Sequence, residues 1–395
     1  MTPLDIDQLR AETPGTRTVN HLNNAGSSLI PGPVLETVLE HLDLEAQIGG
    51  YEAEALRHSE ICSVYDSVGT LIGADAQNVA ITDNATGAFI QALSAIPFSP
   101  GNVIVTTRND YVSNQIMFLS LASRFGVEVV HGPDQSAGGV DVRALEKLIH
   151  RRRPKLVAVT HVPTSSGLVQ PVADVGAICR QQEILYLVDA CQSVGQMPVD
   201  VEDIGCDFLT ATSRKFLRGP RGVGFLYVSD RALALGLEPL FPDMRGADWI
   251  HEDLYQPASD ARRFENFEGP VAMVLGMGRA ARYALDLGVE AIHERAWTLS
   301  DSLRTRLGEL DGVHVQDRGA TRCAIVTVST DRHHPLDLLR ALRKEGINTS
   351  RTGRDSAIFD FDEKGVDQVL RISPHYYNTE EEIAAFVHVL SRITK

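Results

Sequence analysis

The pattern of apolar and polar positions divides the chain into a central region and two flanking regions. Between about residues 79 and 228, short apolar runs recur and are separated by segments of helix length. The runs predict strands at 79–82, 102–106, 127–131, 156–160, 184–188, 208–211 and 223–228. This alternation is typical of a mainly parallel sheet with helices on both faces, so the predicted fold class is α/β.

The flanking regions have a different pattern. Before the first strand, apolar positions at helical spacing predict helices at 34–47 and 52–72. After about residue 240, a charged and aromatic loop (243–269) leads into a long helical pattern at 270–310. Strands at 322–329 and 369–372 and helices at 335–345 and 380–393 then predict a smaller α+β unit. We therefore predict a large domain at 15–265 and a small C-terminal domain that comprises residues 266–395 together with residues 1–14.

Composition narrows the function classes. With 395 residues and 43% hydrophobic content, the chain is long enough for two domain cores. The formal net charge of −15 argues against nucleic acid or an anionic membrane surface as a partner, because both attract clustered positive charge. The five cysteines show no paired or metal-binding spacing, so we predict no metal site and a reducing compartment. No apolar run has the length of a signal core or membrane span, and we expect a cytoplasmic protein.

Candidate chemistry lies at the ends of two predicted strands. The run at 184–188 is followed by Asp189, and the run at 206–211 is followed by Thr212, Ser213, Arg214 and Lys215. The carboxyl ends of parallel strands meet at one crevice, so Asp189 and Lys215 are both expected to face that crevice. The other five lysines lie in polar helical, loop or terminal contexts, which leaves Lys215 as the candidate for a buried reactive amine. An aspartate and a lysine in this arrangement suit pyridoxal 5'-phosphate (PLP), with a Schiff-base lysine and a carboxylate at the pyridinium nitrogen.

A phosphate site is predicted where the first strand meets a helix. Small residues follow the strand in ITDNATGAF, and Ala85, Thr86 and Gly87 would point backbone N–H groups at an anion. The alternative is a plain helix N-cap by Asn84 or Thr86. Thr212 and Arg214 are further candidate phosphate ligands, since arginine offers a planar fork of donors.

Two more loops are expected at the same crevice. Tyr111 follows the strand at 102–106 and is placed to stack on a flat ring, although a tyrosine half-buried at a helix start fits the pattern equally well. The segment 160–172 supplies the hydroxyls of Thr164, Ser165 and Ser166, unless it is a loop that merely turns.

Taken together, these motifs identify a family resemblance across nearly the whole chain. The chain resembles the class V aminotransferase group of PLP fold-type I enzymes, which includes cysteine desulfurases, selenocysteine lyases, kynureninase-like hydrolases and isopenicillin N epimerase. The resemblance is carried by LNNAGSS, NATGAF, HVPTSSGLVQPV, VDACQSVGQMPVDV, TSRKFLRGPRGVGFLYV, RTGRDSAIF and RISPHYYNTEEEI.

The resemblance implies roles for individual residues. It implies that Lys215 is the Schiff-base lysine, Asp189 the pyridinium partner, Gln192 a contact to the ring hydroxyl and Tyr111 the stacking residue. Further cofactor contacts are implied at Ala85, Thr86, Gly87, Thr164, Thr212 and Arg214. Contacts to a small amino-acid substrate are implied at Asn24, Ser356 and Arg371, of which Arg371 would receive the carboxylate. A homodimer with shared active sites is also implied, with the loop around Asn266 and Gly269 reaching the partner.

The chain also departs from the desulfurase pattern. Ser356 stands where cysteine desulfurases carry the nucleophilic cysteine, and Tyr111 and Arg214 replace histidines. A hydroxyl cannot carry a persulfide. The nearby Arg351 and Arg354 either bind a second anionic group of the substrate or belong to a solvated loop.

The predicted function is a PLP-dependent enzyme acting at the α-carbon of an amino acid. The outcome would be aminotransferase-like, or β-elimination with C–S cleavage and no persulfide cysteine. Epimerisation or racemisation is the alternative, and a non-catalytic PLP sensor or scaffold is a further one.

Overall fold

The computed structural model describes residues 4–395 as alternating helices and strands. In chain order the helices are α1 (Ile6–Ala11), α2 (Gly32–Ile48), α3 (Gly50–Leu56), α4 (His58–Ile72), α5 (Ala85–Ser94), α6 (Val112–Phe125), α7 (Val142–Arg152), α8 (Val172–Gln181), α9 (Val201–Ile204), α10 (Asp230–Ala234), α11 (Val271–Leu287), α12 (Val289–Gly308), α13 (Pro335–Lys344), α14 (Ile358–Lys364) and α15 (Glu380–Thr394). The strands are β1 (Asn20–His21), β2 (Val79–Thr82), β3 (Val103–Thr106), β4 (Glu128–His131), β5 (Leu156–Thr160), β6 (Leu185–Asp189), β7 (Phe208–Thr212), β8 (Gly224–Val228), β9 (Ala247–His251), β10 (Leu254–Pro257), β11 (Val313–Val315), β12 (Val326–Thr330), β13 (Ile347–Asn348), β14 (Ser350–Gly353) and β15 (Gln368–Ile372).

The seven strands predicted between residues 79 and 228 form one sheet. Its order is β2-β8-β7-β6-β5-β3-β4, and only β8 runs antiparallel to its neighbours. The predicted α/β fold with a mainly parallel sheet is confirmed. Five strands of this sheet are buried along their whole length, namely β3, β5, β6, β7 and β8. Helices must therefore cover both faces, because strands buried on both sides leave no face for water.

The two faces of the sheet support separate apolar clusters. In β5, Val157 and Val159 point into one cluster, which includes residues of α4, α8 and α11. Leu156 and Ala158 point into the other, which includes residues of α5. This alternation follows from the two-residue period of a strand.

A second, antiparallel sheet lies in the C-terminal part of the chain. Its order is β11-β12-β15-β14, and it shares a core with α12, α13 and α15. The predicted strand at 322–329 begins later, at Val326, and β14 was not predicted. The short β1 pairs with β13, so residues 20–21 also contact the C-terminal part. The division into domains at 265/266 stays a prediction.

Two predicted helices are each split in two. The pattern at 270–310 is broken at Gly288, whose φ of +84° ends α11 and begins α12. The pattern at 52–72 is interrupted at Arg57, between α3 and α4. The predicted loop at 243–269 contains the antiparallel hairpin β9–β10, most of whose residues are exposed. Among residues 4–395, no helix is both long and apolar enough to cross a bilayer.

Candidate active site

A cavity of about 220 Å³ lies at the carboxyl ends of the parallel strands, where ligands bind in open α/β sheets. Nine of the predicted site residues line it: Ala85, Thr86, Tyr111, Thr164, Asp189, Gln192, Thr212, Arg214 and Lys215. The sheet brings them together because they end or follow five of its strands, β2, β3, β5, β6 and β7. Gly87, Asn24, Ser356 and Arg371 are not among the residues that line this cavity.

Asp189 is the last residue of β6 and is held at both carboxylate oxygens. The backbone N–H of Cys191 donates to Oδ1 at 3.0 Å, and Nδ2 of Asn114 donates to Oδ2 at 3.1 Å. Asp189 is buried, and within residues 4–395 it forms no ion pair. A buried carboxylate without a cation is costly, so the arrangement favours a positively charged ligand group beside it.

Lys215 shares this cavity. Burial lowers the pKa of its amine below the ordinary value, and the nearby Arg214 and Arg371 lower it further, whereas Cys191 and Asp189 oppose the shift. A lysine with a lowered pKa has a larger neutral fraction and is a better nucleophile and base.

Lys215 is not the only buried lysine, which corrects an inference from the sequence. The side chain of Lys364 is only 2% exposed, and its Nζ lies 2.6 Å from Oδ2 of Asp360. Its charge is therefore neutralised by a buried carboxylate. Lys215 has no such pair in the described chain and remains the lysine at the cavity.

The N-terminus of α5 forms one end of the cavity. The side chain of Asn84 caps this helix by accepting a hydrogen bond from the N–H of Gly87 at 3.0 Å. The plain N-cap is thus present, and it occupies the Gly87 amide that was predicted to face an anion. The amides of Ala85 and Thr86, at the first two helical positions, are left for a ligand.

Two glycines permit the close packing of the cavity walls. A Cβ atom on Gly224 would lie 3.0 Å from the backbone nitrogen of Ala85, so only glycine lets β8 approach the start of α5. Gly195 has a φ of +90°, and a Cβ there would lie 2.4 Å from the backbone nitrogen of Leu217. This approach holds the turn with Gln192 against the segment with Lys215.

Thr164 connects Gln192 with Arg371. Its Oγ1 accepts hydrogen bonds from Nε2 of Gln192 at 3.0 Å and from Nη1 of Arg371 at 2.6 Å. Arg371, in β15 of the second sheet, thereby contacts a residue that lines the cavity. It is buried, forms no ion pair within residues 4–395, and its Nε has no hydrogen-bond partner there. Burial and the nearby Arg214 lower the pKa of Arg371 to about 10, so the guanidinium is still charged at neutral pH.

The other two predicted substrate residues, Asn24 and Ser356, do not line this cavity. Asn24 is buried, with Nδ2 donating to the Ser373 carbonyl at 2.8 Å and Oδ1 accepting from the Tyr377 hydroxyl at 2.6 Å. Its amide is therefore committed to internal bonds. Ser356 lies half-buried in the turn between β14 and α14, where its hydroxyl contacts the Asp355 side chain at 3.4 Å.

The two arginines near Ser356 belong to the surface. Arg354 is exposed and forms a bidentate pair with Asp362. Arg351 is also exposed, and its Nη1 donates to Oε1 of Gln368 at 3.1 Å. This arrangement favours the solvated-loop interpretation over a second anion site.

Several residues at the site were missed by the sequence reasoning. Asn114 and Cys191 line the cavity, as does Thr160, the last residue of β5. A signal for Asn114 existed, because it lies three residues after Tyr111 and so on the same face of α6. No comparable signal pointed to Cys191, whose thiol pKa is raised by burial and by the neighbouring Asp189.

The donors and acceptors of the cavity fit PLP. Free helix amides and the side chains of Thr86, Thr212 and Arg214 suit a phosphate, and Asp189 suits a protonated ring nitrogen. Oε1 of Gln192 is buried without a partner, which leaves an acceptor toward a ligand hydroxyl. The volume lies just below the range of about 300–1,000 Å³ for drug-sized ligands, as expected for one small ring system.

A larger cavity of about 640 Å³ lies beside this one, and Asp83 lines both. Its wall includes Tyr51, Phe241 and the segment 264–271, but no lysine. We assign the chemistry to the smaller cavity because the lysine and aspartate are there.

Comparison with known proteins gives a consistent result. The family described as "Aminotransferase class-V" matches residues 20–386. A protein of Methanothermobacter thermautotrophicus named "Probable cysteine desulfurase" is 27% identical, over 98% of each chain. The apo structure of a cysteine desulfurase from Thermococcus onnurineus is 26% identical, with a TM-score of 0.91 over 100% of this chain and 99% of that one. A cystine C-S lyase in complex with cysteine persulfide has the same fold at 22% identity, with a TM-score of 0.85 over 96% and 99% of the two chains.

Proposed function

Because this chain belongs to the aminotransferase class-V family and is a PLP-dependent enzyme, we propose that it cleaves the C–S bond of a cysteine derivative by β-elimination. No protein cysteine would receive the sulfur. The observation that carries this proposal is the serine at position 356, within the segment 350–357, which contains no cysteine. The names of the relatives favour C–S chemistry, and Ser356 argues against a persulfide at that position.

Cys191 is the one cysteine near the reacting groups in the described chain, and its properties support the same conclusion. The thiolate is the form of cysteine that attacks sulfur, and it becomes scarce as the pKa rises. The raised pKa of Cys191 therefore keeps it a neutral thiol at physiological pH. The remaining four cysteines do not line the cavity.

Arg371 is the proposed receptor for the substrate carboxylate. Burying a guanidinium without an acidic partner is energetically unfavourable, and a bound anion would relieve that cost. Its fork can bind a carboxylate with two parallel hydrogen bonds. Thr164, which contacts Arg371, also lines the Lys215 cavity, and this proximity supports binding of an α-amino acid beside the cofactor.

The remaining proposed roles follow from the same cavity. PLP supplies an electron sink for the bond that breaks at the α-carbon. Asp189 would hold the proton on the ring nitrogen, Tyr111 would cover the ring, and Gln192 would bind its hydroxyl. The lowered pKa of Lys215 suits it to accept the α-proton.

The net reaction balances without an added oxidant. An S-substituted cysteine and water give pyruvate, ammonia and the thiol. The α-proton goes to the amine of Lys215, and the thiolate leaves from the β-carbon with the electron pair of the C–S bond. The released thiolate takes up a proton from the site or from solvent.

A homodimer is a further part of the proposal. Large exposed apolar side chains are concentrated between residues 241 and 267, including Phe241, Met244 and Trp249. The segment 266–269 lines the larger cavity, next to the cofactor site. A second copy packed here would cover these side chains and bring its own residues close to the phosphate end. The unpaired state of all five cysteines supports a reducing compartment such as the cytoplasm.

The decisive experiment is product identification with the purified holoenzyme. It is incubated separately with cysteine, S-methylcysteine, cystine and alanine, each with and without an added keto acid as amino acceptor, and the products are resolved by chromatography. Pyruvate formed in equal amount with methanethiol from S-methylcysteine, or with cysteine persulfide from cystine, supports the proposal. A keto acid formed only with an amino acceptor would replace it with transamination, and inverted amino acid would replace it with epimerisation. Protein-bound persulfide formed from cysteine would refute the argument from Ser356.

A further inference from the structure

Asp110 is a buried carboxylate that has no role in the proposed catalytic steps. It is 5% exposed, and five donors converge on it. The donors are the backbone N–H of Tyr111 at 2.7 Å, Nε2 of Gln115 at 2.6 Å, Nδ2 of Asn114 at 3.1 Å, Oγ1 of Thr106 at 3.1 Å and Oγ1 of Thr160. Because an ionised carboxylate offers about four lone-pair sites, these donors saturate it.

The donors compensate for an unfavourable location. Within residues 4–395, Asp110 forms no ion pair with a lysine, arginine or histidine. Burial raises its pKa, and the hydrogen bonds counteract that shift. Burying a carboxylate without a cation costs stability that even complete hydrogen bonding at best offsets, so a role beyond packing is indicated.

Asn114 links this carboxylate to Asp189. Its Nδ2 lies 3.1 Å from Oδ1 of Asp110 and 3.1 Å from Oδ2 of Asp189. An amide nitrogen has two hydrogens, enough for both carboxylates, and its third contact, to Oγ1 of Thr160 at 3.3 Å, is the longest. The reversed amide would present its oxygen to both carboxylates, so Asp110 fixes the orientation in which Asn114 donates to Asp189.

The same carboxylate also fixes the backbone at Tyr111. The Tyr111 N–H donates to Asp110, and Tyr111 is the N-cap residue of α6, from which Asn114 projects one turn later. The ring predicted to cover the cofactor and the amide that holds Asp189 therefore depend on one buried group.

We propose that Asp110 is a positioning residue that orients Asp189 through Asn114 and anchors the backbone of Tyr111. This inference rests on the proposed role of Asp189 at the ring nitrogen, and it does not depend on the identity of the substrate. Asp110 itself does not line the cavity and acts through its neighbours.

The test compares D110N, N114A, the double variant and D189N with the wild-type holoenzyme. In D110N, the NH2 group of the new amide would lie among the hydrogen-bond donors that contact the carboxylate of the wild-type protein. We expect PLP added to the apoprotein to bind about tenfold more weakly to D110N and to N114A. We also expect the pH midpoint of the bound cofactor's visible absorption to move by about half a unit, in the same direction as in D189N. If Asp110 acts through Asn114, the double variant binds PLP no more weakly than N114A.

A matched control is D207N. Asp207 is equally buried and accepts from Arg231 and the Tyr186 backbone, but it precedes β7 at the opposite end of the sheet. D207N should lose stability in urea and keep the PLP affinity and the absorption midpoint.

Each contrary result has a distinct meaning. Wild-type PLP affinity and midpoint in folded D110N would overturn the inference while leaving the proposed function intact. Additive losses in the double variant would overturn the route through Asn114. An unchanged midpoint in D189N would instead show that the role of Asp189 was wrong. If D110N does not fold, N114A decides alone, and wild-type PLP affinity in N114A would overturn the inference.

Discussion

The hydroxyl of Thr164 lies 2.6 Å from Nη1 of Arg371, and this contact joins the loop after β5 in the large sheet to β15 in the small one. The same arginine nitrogen donates to the Thr164 carbonyl at 3.1 Å. The proposed recognition of the substrate carboxylate by Arg371 would thus depend on a threonine that also touches Gln192. The orientation of Arg371 relative to the cavity is set by this loop.

Thr164→Val removes the hydroxyl and keeps the shape. Arg371 retains the backbone carbonyl but loses one hydrogen bond to a charged donor. We expect the KM for the amino acid to rise about tenfold with a smaller change in kcat, measured by steady-state kinetics. Thr210→Val is the matched control, because the buried Thr210 hydroxyl has no partner and its loss should leave KM unchanged. Equal KM values for the two variants would contradict the assigned contact.

Lys215→Ala should abolish covalent retention of the cofactor. After borohydride treatment, intact-mass spectrometry of the wild-type protein should show the cofactor adduct, and the variant should show none. Loss of a general base lowers the rate by at least about a hundredfold. Lys147→Ala, at an exposed position of α7, should keep the adduct. An adduct that persists in Lys215→Ala would exclude this lysine.

The stability of the fold should fall as the pH drops below about 6.5. Burial lowers the pKa of His161 to about 4, and burial and Arg218 lower that of His375 to about 3. Both are neutral in the native state at pH 5, whereas the unfolded chain takes up the protons there. Each histidine therefore reduces the free energy of unfolding by about 2 kcal/mol between pH 7 and pH 5.

The pH effect can be isolated with His161→Gln. Urea unfolding at pH 7 and pH 5 should show a smaller difference between the two pH values for this variant than for the wild type. The exposed His251 serves as the control, and His251→Gln should leave the difference unchanged. The same pH dependence in wild type and His161→Gln would contradict the neutral buried state.

Cys191→Ser should leave the product distribution unchanged. The Cys191 backbone N–H still donates to Asp189, and the thiol itself has no assigned step. Cyanolysis of the protein after turnover should detect no bound sulfur in either form. Sulfur bound to the wild-type protein but absent from Cys191→Ser would identify Cys191 as an acceptor and refute the proposed mechanism.

Trp249→Glu should weaken the proposed dimer. The Trp249 side chain is 80% exposed on β9, and a charge there would disfavour an apolar contact between copies. Light scattering coupled to gel filtration should show a smaller mass and weaker PLP binding. Leu235→Glu changes a similarly exposed side chain that lines a different cavity and should keep the mass. A wild-type protein that is monomeric at all concentrations would exclude the dimer.

The sequence predicted the fold best where a pattern of apolar residues is compatible with only one arrangement of strands and helices. Apolar runs separated by helix-length segments specified the large sheet, because strands buried on both faces need helices on both sides. It was less informative where a single residue ends an element, as at Gly288. The exposed hairpin β9–β10 lacks an alternating apolar pattern, so its pairing could not be read from the sequence.

At the site, the sequence by itself determined which groups end or closely follow the strands, among them Asp189 and Lys215. These two residues lie close together because the carboxyl ends of neighbouring parallel strands are at the same edge of the sheet, and the alternation of strands and helices in the sequence predicts a parallel sheet. Only the tertiary structure decided which side chains are free for a ligand. Hydrogen-bond partners distant in sequence commit the amide of Asn24 to Tyr377 and leave the Nε of Arg371 without a partner. The tertiary structure also joined Asp110, Asn114 and Asp189, because contacts between strands and helices depend on packing that no local pattern records.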